Sequence, residues 1–219
     1  MKNIVIAIDG TSASGKSTNA KLVAKALGYV YVDTGAMYRT LSWYCLKNHI
    51  DVHDAKAVAA ACRKWKTSFE CVEKNGLRAV HLLVDGYYPE REIRTAETSA
   101  AVTHVAAVPK VRDWMVNHQR ECVKFGDLVM EGRDIGTNVF PETDYKFYLD
   151  AHLEERSKRR AAEGVHENLA ARDERDSQRA VAPLMIPLGA KVINNSQMTS
   201  EQTSGLILQE LRSRLPQAK

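Results

Sequence analysis

Cysteine is scarce. Only Cys45, Cys62, Cys71 and Cys122 occur, and none stands in a C-x-x-C or histidine-paired spacing. That spacing argues against a zinc site or a disulfide framework and predicts free thiols in a reducing compartment. Long apolar runs are missing too: nothing approaches the roughly 20 residues of a membrane-spanning helix. Lys2, a short apolar stretch and then Asp9 do not make a secretory signal. Charge of one sign is nearly balanced, and a net +4 is too mild to argue for nucleic acid or a membrane surface. No Asn-Lys-x-Asp motif of the guanine-nucleotide switches occurs, and there is no internal repeat or low-complexity linker. A single domain in the cytoplasm is expected, monomeric, with small-molecule substrates and no nucleic-acid or membrane partner.

What is present begins near the start of the chain. Gly10-Thr11-Ser12-Ala13-Ser14-Gly15-Lys16-Ser17-Thr18 fits G-x-x-x-x-G-K-[ST]. Before it, Ile4-Val5-Ile6-Ala7-Ile8 has the composition of a buried parallel strand. After it, residues 19–27 follow a helical pattern stopped by Gly28. Strand, glycine loop and helix in that order are the context of a phosphate-binding loop. The glycines let the backbone approach a ligand closely. Loop and helix-opening N–H groups then converge on phosphate oxygens. Lys16 would neutralise β- and γ-phosphate charge, and Ser17 would offer its hydroxyl to Mg²⁺. Residues 10–18 are therefore the candidate ATP site.

Further strands are expected at Tyr29-Val30-Tyr31-Val32, Leu128-Val129-Met130, Tyr145-Lys146-Phe147-Tyr148-Leu149 and Lys191-Val192-Ile193. Helices are expected over 36–47, 51–66, 97–107, from Pro109 onward and over 199–215. Strands alternating with helices give an α/β fold with a mainly parallel sheet flanked by helices. Ligands in such sheets bind at the carboxyl ends of the strands, so Gly10, Asp33 and Glu131 should meet there. Residues 67–72 and 77–84 flank Glu73-Lys74-Asn75-Gly76, the signature of an antiparallel hairpin, which reads as an inserted subdomain.

The arginines suggest what is done with the nucleotide. Arg39 lies one helical turn past the second strand, and Arg133 follows the strand ending at Glu131. Arg112 opens the helix after Pro109, and Arg172, Arg175 and Arg179 recur in a charged stretch. Arginine is the planar donor suited to bidentate phosphate contacts. Arg156, Lys158, Arg159 and Arg160, by contrast, read as solvated surface charges. If the acceptor is itself a phosphate, catalysis reduces to holding two anions in line, screening the transferring charge and excluding water.

At this point the chain resembles the bacterial cytidylate (CMP) kinases over nearly its whole length. The resemblance is carried by Ile8 through Thr18, by 33–39 and by Glu92-Ile93-Arg94-Thr95. It continues through Pro109-Lys110-Val111-Arg112, Gly132-Arg133-Asp134-Ile135-Gly136-Thr137, Val139-Phe140-Pro141 and 172–184. It implies a P-loop kinase core (1–66, 96–150 and 185–219), a monophosphate-binding β insertion at about 67–95 and a helical lid at about 151–184. It implies transfer from ATP, with Mg²⁺, to CMP and dCMP. Lys16, Arg133, Arg175 and Arg179 would be catalytic. Arg39, Arg133 and Arg179 would lie at the acceptor phosphate, Arg172 and Asp176 at the ribose, and Thr103, Arg112 and Asp134 at the cytosine, with Ser12 and Thr34 also binding CMP. Thr11 replaces a usual proline, Ala13 a usual glycine and Glu131 a usual aspartate, and the lid looks several residues short. A kinase for UMP or AMP, or a regulatory P-loop protein, are the alternatives.

Overall fold

The computed structural model describes residues 3–162, 164 and 168–215. Residues 163 and 165–167 of the expected lid, and 1–2 and 216–219 of the expected core, lie outside them.

The first strand, β1 (Val5–Gly10), is buried at every position, as a central strand covered on both faces must be. Its side chains alternate between two apolar layers. Val5 and Ala7 join one that includes Val32, Leu41 and Met130. Ile6 and Ile8 join another with Val23, Phe147 and Leu149. The period of two thus assigns one strand to two cores. On one side pack α2 (Thr34–Lys47) and α3 (Ala55–Lys64), and on the other α1 (Lys16–Leu27).

β1 is joined by β2 (Val30–Asp33), β3 (Thr67–Lys74), β4 (Leu77–Val84), β5 (Leu128–Glu131), β6 (Tyr145–Asp150) and β7 (Lys191–Asn194). They form one sheet of seven strands in the order β3-β4-β2-β5-β1-β6-β7. Every pairing is parallel except that of β3 with β4. The remaining helices are α4 (Ala96–Val105), α5 (Pro109–Glu121), α6 (Leu153–Ala162), α7 (Leu169–Ser177) and α8 (Ser200–Arg212).

The hairpin turns as its sequence predicts: Asn75 and Gly76 both take positive φ, 54° and 73°, the conformation that lets a two-residue turn follow strand twist. Its placement differs from a separate subdomain. β4 pairs parallel with β2, Val30 opposite Arg78 and Val32 opposite Val80, so the hairpin extends the main sheet at its edge. The third helix starts at Ala55 rather than 51, because the Asp54 carboxylate accepts from the Lys56 and Ala57 amides and caps it there. A short π-helical turn, Ile135–Val139, follows β5 and has no counterpart in the sequence reading.

Gly10 closes β1 with φ 148°, and a Cβ there would lie 1.9 Å from the Leu149 carbonyl oxygen of the neighbouring strand. Gly10→Ala is therefore expected to lower stability by about 3 kcal/mol or more, a drop of roughly 6–12 °C for a chain of this size. Thermal denaturation of the purified variant checks this; an unchanged midpoint would show that the strand end can yield.

Candidate active site

Gly10, Asp33 and Glu131 end three strands that are neighbours in the order β2-β5-β1. The expected convergence at the carboxyl edge is thus built by the sheet itself. A cleft of about 610 Å³ opens there, between the phosphate loop, the start of α2, the turn after β5 and the α6–α7 segment.

In the loop, Ala13 takes φ 57° and Gly15 φ 83°. The first is a conformation glycine reaches freely and alanine at about 1 kcal/mol, which accounts for the glycine usual at that position. The Thr11 hydroxyl donates to Asp150 Oδ1 at 2.9 Å, tying the loop to the end of β6. Lys16 Nζ donates to the Thr11 carbonyl at 2.5 Å and lies 3.4 Å from Ser14 Oγ. Burial pushes the Lys16 ammonium well below its usual pKa and Arg133 adds to this, while Glu131, Asp173 and Asp9 oppose it.

Facing the loop, the arginines are held by carboxylates. Asp33 accepts from the Ala36 amide at 2.7 Å, so it caps α2, and also from Arg39 at 3.3 Å and Arg94 at 3.2 Å. Burial would raise its pKa, but these guanidiniums and the amide outweigh that and lower it. Asp176 accepts from Arg133 Nε at 3.1 Å and from Arg179. Asp134 accepts from Arg112 at 2.5 Å and from Asn138 at 3.2 Å. Both members of the Arg112–Asp134 pair are buried, and the Arg112 guanidinium lies 5.6 Å from the Tyr38 ring centre.

Most sequence-derived residues therefore come together. Ser12, Ala13, Gly15, Lys16, Ser17, Thr18, Thr34, Arg39, Thr103, Arg112, Arg133, Asp134, Arg172, Asp176 and Arg179 all line the cleft. Gly10, Thr11 and Ser14 belong to the loop but do not line the cleft. Arg175 does not line the cleft: it is exposed, and its Nε donates to the carbonyl of Ala171 on its own helix. Asp176, expected at a ribose, fixes two arginines of the cleft, Arg133 and Arg179.

The α6 arginines correct the sequence reading. Arg156 is buried, donating to the carbonyls of Ala151 at 2.9 Å and Ser12 at 3.1 Å and pairing with Asp173. Asp173 in turn accepts from the Ser12 amide at 3.0 Å, so the pair braces the phosphate loop against α7. Breaking a buried pair of this kind from one side typically costs about 3–5 kcal/mol. Arg159 donates to Asn195 Oδ1 and its carbonyl at 3.0 and 2.9 Å, while Asn195 Nδ2 donates to the Ser14 carbonyl at 2.9 Å. Arg160 lines the cleft. Only Lys158, exposed and paired with Glu154 at 2.9 Å, is the surface charge expected. The missed signal was spacing: 156, 159 and 160 share one helix face, and 154 and 158 another. Arg94 was also missed, although it stood inside a recognised motif.

Beside Lys16, Glu131 accepts from Tyr31 OH at 2.5 Å. Burial raises the Glu131 pKa, Asp33 reinforces this, and Lys16, Ser17 and Tyr31 oppose it. The Ser17 hydroxyl and Glu131 carboxylate are the hard oxygen donors that Mg²⁺ takes. Among the described residues no cluster of three or more His, Cys, Asp or Glu side chains could hold a metal unaided. The donor set suits a Mg²⁺ whose remaining ligands are phosphate oxygens and water.

Residues 6–213 match the family profile described as cytidylate kinase. A protein named cytidylate kinase from Geobacillus sp. (strain WCH70) is 38% identical, over 97% of this chain and 98% of its own. Another of that name from Bacillus pumilus (strain SAFR-032) is 40% identical, over 94% of this chain and 95% of its own. The crystal structure of an uncharacterized protein from Eubacterium ventriosum shares the fold, with a TM-score of 0.52 at 13% identity, covering 96% of this chain and 99% of that one. The chain belongs to the cytidylate kinase family.

Proposed function

We propose that the protein transfers the γ-phosphoryl group of ATP to CMP and dCMP, giving ADP and CDP or dCDP. The observation that carries this reading is the buried Arg112–Asp134 pair, set beside the acceptor arginines and across the cleft from the phosphate loop. Cytosine has an amino group at N4 that a carboxylate accepts from, and acceptors at N3 and O2 for a guanidinium. Uracil turns a carbonyl oxygen toward that carboxylate instead, so the UMP alternative is disfavoured on that chemistry. Adenine presents an amino donor at N6 and an acceptor at N1 on a larger, two-ring base, so AMP is separated by the rates below.

In the transfer, a phosphate oxygen of CMP bonds to the γ-phosphorus as the bond from phosphorus to the β,γ-bridging oxygen breaks, and ADP leaves. The attacking oxygen already carries charge, so no side chain has to act as base. Lys16 and the loop amides hold the donor. Arg39, Arg94, Arg133 and Arg179 hold the acceptor phosphate, the last two also screening the transferring group. Arg175 is left out of this set because its guanidinium lies outside the cleft. Ser17 and Glu131 would hold Mg²⁺, which would supply further charge screening for the transferring phosphates. In this reading 67–95 flanks the acceptor and 151–184 is the lid that excludes water. In this reading the enzyme works as a monomer in the cytoplasm. Among the described residues no helix is long and apolar enough to cross a membrane.

Initial rates with CMP, dCMP, UMP and AMP test the assignment. The kcat/KM for UMP should fall below that for CMP by about 100-fold or more, and Asp134→Asn should narrow the gap, because an amide can donate to the uracil oxygen. Rates with AMP equal to those with CMP would sink the reading. Arg39→Ala should raise the KM for CMP by about 10- to 100-fold with the KM for ATP unchanged. Equal loss toward both nucleotides would mean that Arg39 is structural.

A further inference from the structure

Asp9 has no part in the chemistry so far described, yet it is completely buried and immediately precedes the first glycine of the phosphate loop. Its Oδ1 accepts from the Ile135 amide at 2.8 Å and its Oδ2 from the Gly136 amide at 2.7 Å. These amides open the turn Ile135–Val139, where N–H groups lack partners within the turn. An aspartate in the position of Asp134 would ordinarily cap such a turn itself. Asp134 makes no cap hydrogen bond; its carboxylate is committed to Arg112 and Asn138. Asp9 caps the turn from another strand and leaves Asp134 free to face the cleft.

The approach is tight. A Cβ on Gly136 would lie 3.3 Å from Asp9 Oδ2 and 3.0 Å from Pro187 Cγ, so glycine is what lets the amide reach the carboxylate. Packing alone does not call for a charge here, since burying an ionised carboxyl is costly. Burial raises the Asp9 pKa to about 7, against the opposing pull of the two amides. Asp134 from the turn and Lys16 from α1 are the charged groups facing it, and Tyr148 from β6 is a third titratable neighbour.

We propose that Asp9 is a positioning residue: it clamps the turn carrying Arg133 and Asp134 to the strand that becomes the phosphate loop, so that donor and acceptor sites keep one register. This rests on the functional reading above for which substrate the turn meets, but the clamp itself can be observed without turnover. Protonation of Asp9 as pH falls through about 7 removes the charge that both amides share, so the grip on the acceptor should weaken on the acid side.

The experiment is steady-state kinetics on the full chain and Asp9→Asn, varying each nucleotide separately from about pH 6 to pH 9. Asp9→Asn keeps the shape but turns an N–H toward one of the two amides. It should raise the KM for CMP about tenfold or more and leave the KM for ATP within about twofold. In the unmodified enzyme the KM for CMP should rise as pH drops below 7 and lie closer to flat in the variant; the second ionisation of the CMP phosphate, at pKa about 6, is common to both. Gly136→Ala breaks the same contact from the other side and should give the same CMP-selective defect. Independently, the Ile135 and Gly136 amide resonances of the unmodified protein should titrate together near pH 7 in NMR spectra. Parallel rises in both KM values, or amide resonances that ignore pH while CMP binding is untouched in both variants, would overturn the clamp. Failure of the unmodified enzyme to phosphorylate CMP would sink the functional reading instead, with the NMR titration still deciding the clamp.

Discussion

An arginine held by a buried or half-buried aspartate is the interaction that recurs in and behind this cleft. Asp33 holds Arg39 and Arg94, Asp176 holds Arg133 and Arg179, Asp134 holds Arg112, and Asp173 holds Arg156. So many guanidiniums on one wall would repel one another, and each loses hydration by being there. The aspartates offset both effects and, more usefully, point the planar forks. Phosphate presents the same fork-matching oxygens as carboxylate. In the proposed reaction, acceptor binding would exchange one anion for another around guanidiniums already in place, with little reorganisation left for the moment of transfer. The pairs are better understood as orienting devices than as sources of stability, since buried ion pairs are a weak stability argument.

The same electrostatics make the donor side responsive. Burial and the nearby Arg133 depress the Lys16 pKa. A triphosphate in the loop would supply several negative oxygens around its ammonium and favour the charged form. In the proposed role Lys16 would gain most from the ligand whose charge it neutralises, while Glu131, bonded to the Tyr31 hydroxyl, favours its charged form.

How much of this could be read in the sequence follows from how local each feature is. The phosphate loop, the Asn75-Gly76 turn and the strand ends at Asp33 and Glu131 are written within a few residues, and all were legible. The hairpin's place was not: the pairing of β4 with β2 joins residues far apart in the chain, and nothing inside 67–84 distinguishes a sheet edge from a separate subdomain. Arg156 and Lys158 show why composition misleads in a charged helix. Both sit among mixed charges, but only burial against Ser12 and Asp173 separates the loop brace from the solvated lysine. The clamp on the turn after β5 was hidden for the same reason, since Asp9 and Gly136 meet only across two strands.

With 151–184 as the proposed lid, in-line transfer would still need donor and acceptor sites held at a fixed spacing. The phosphate loop leaves β1, and the turn bearing Arg133 and Asp134 leaves β5, its immediate neighbour, with Ile8 opposite Glu131 in register. A parallel pair packed on both faces has almost no freedom to slide, because a slip of one residue would exchange its two buried faces. Under the proposed assignment, the spacing between the donor and acceptor sites would be a property of the sheet. The α6–α7 segment braces the loop through Arg156 and Asp173, and its proposed task of excluding water would tolerate a change in length. A shorter segment there would leave the proposed donor–acceptor spacing unchanged, because the register of β1 and β5 sets it.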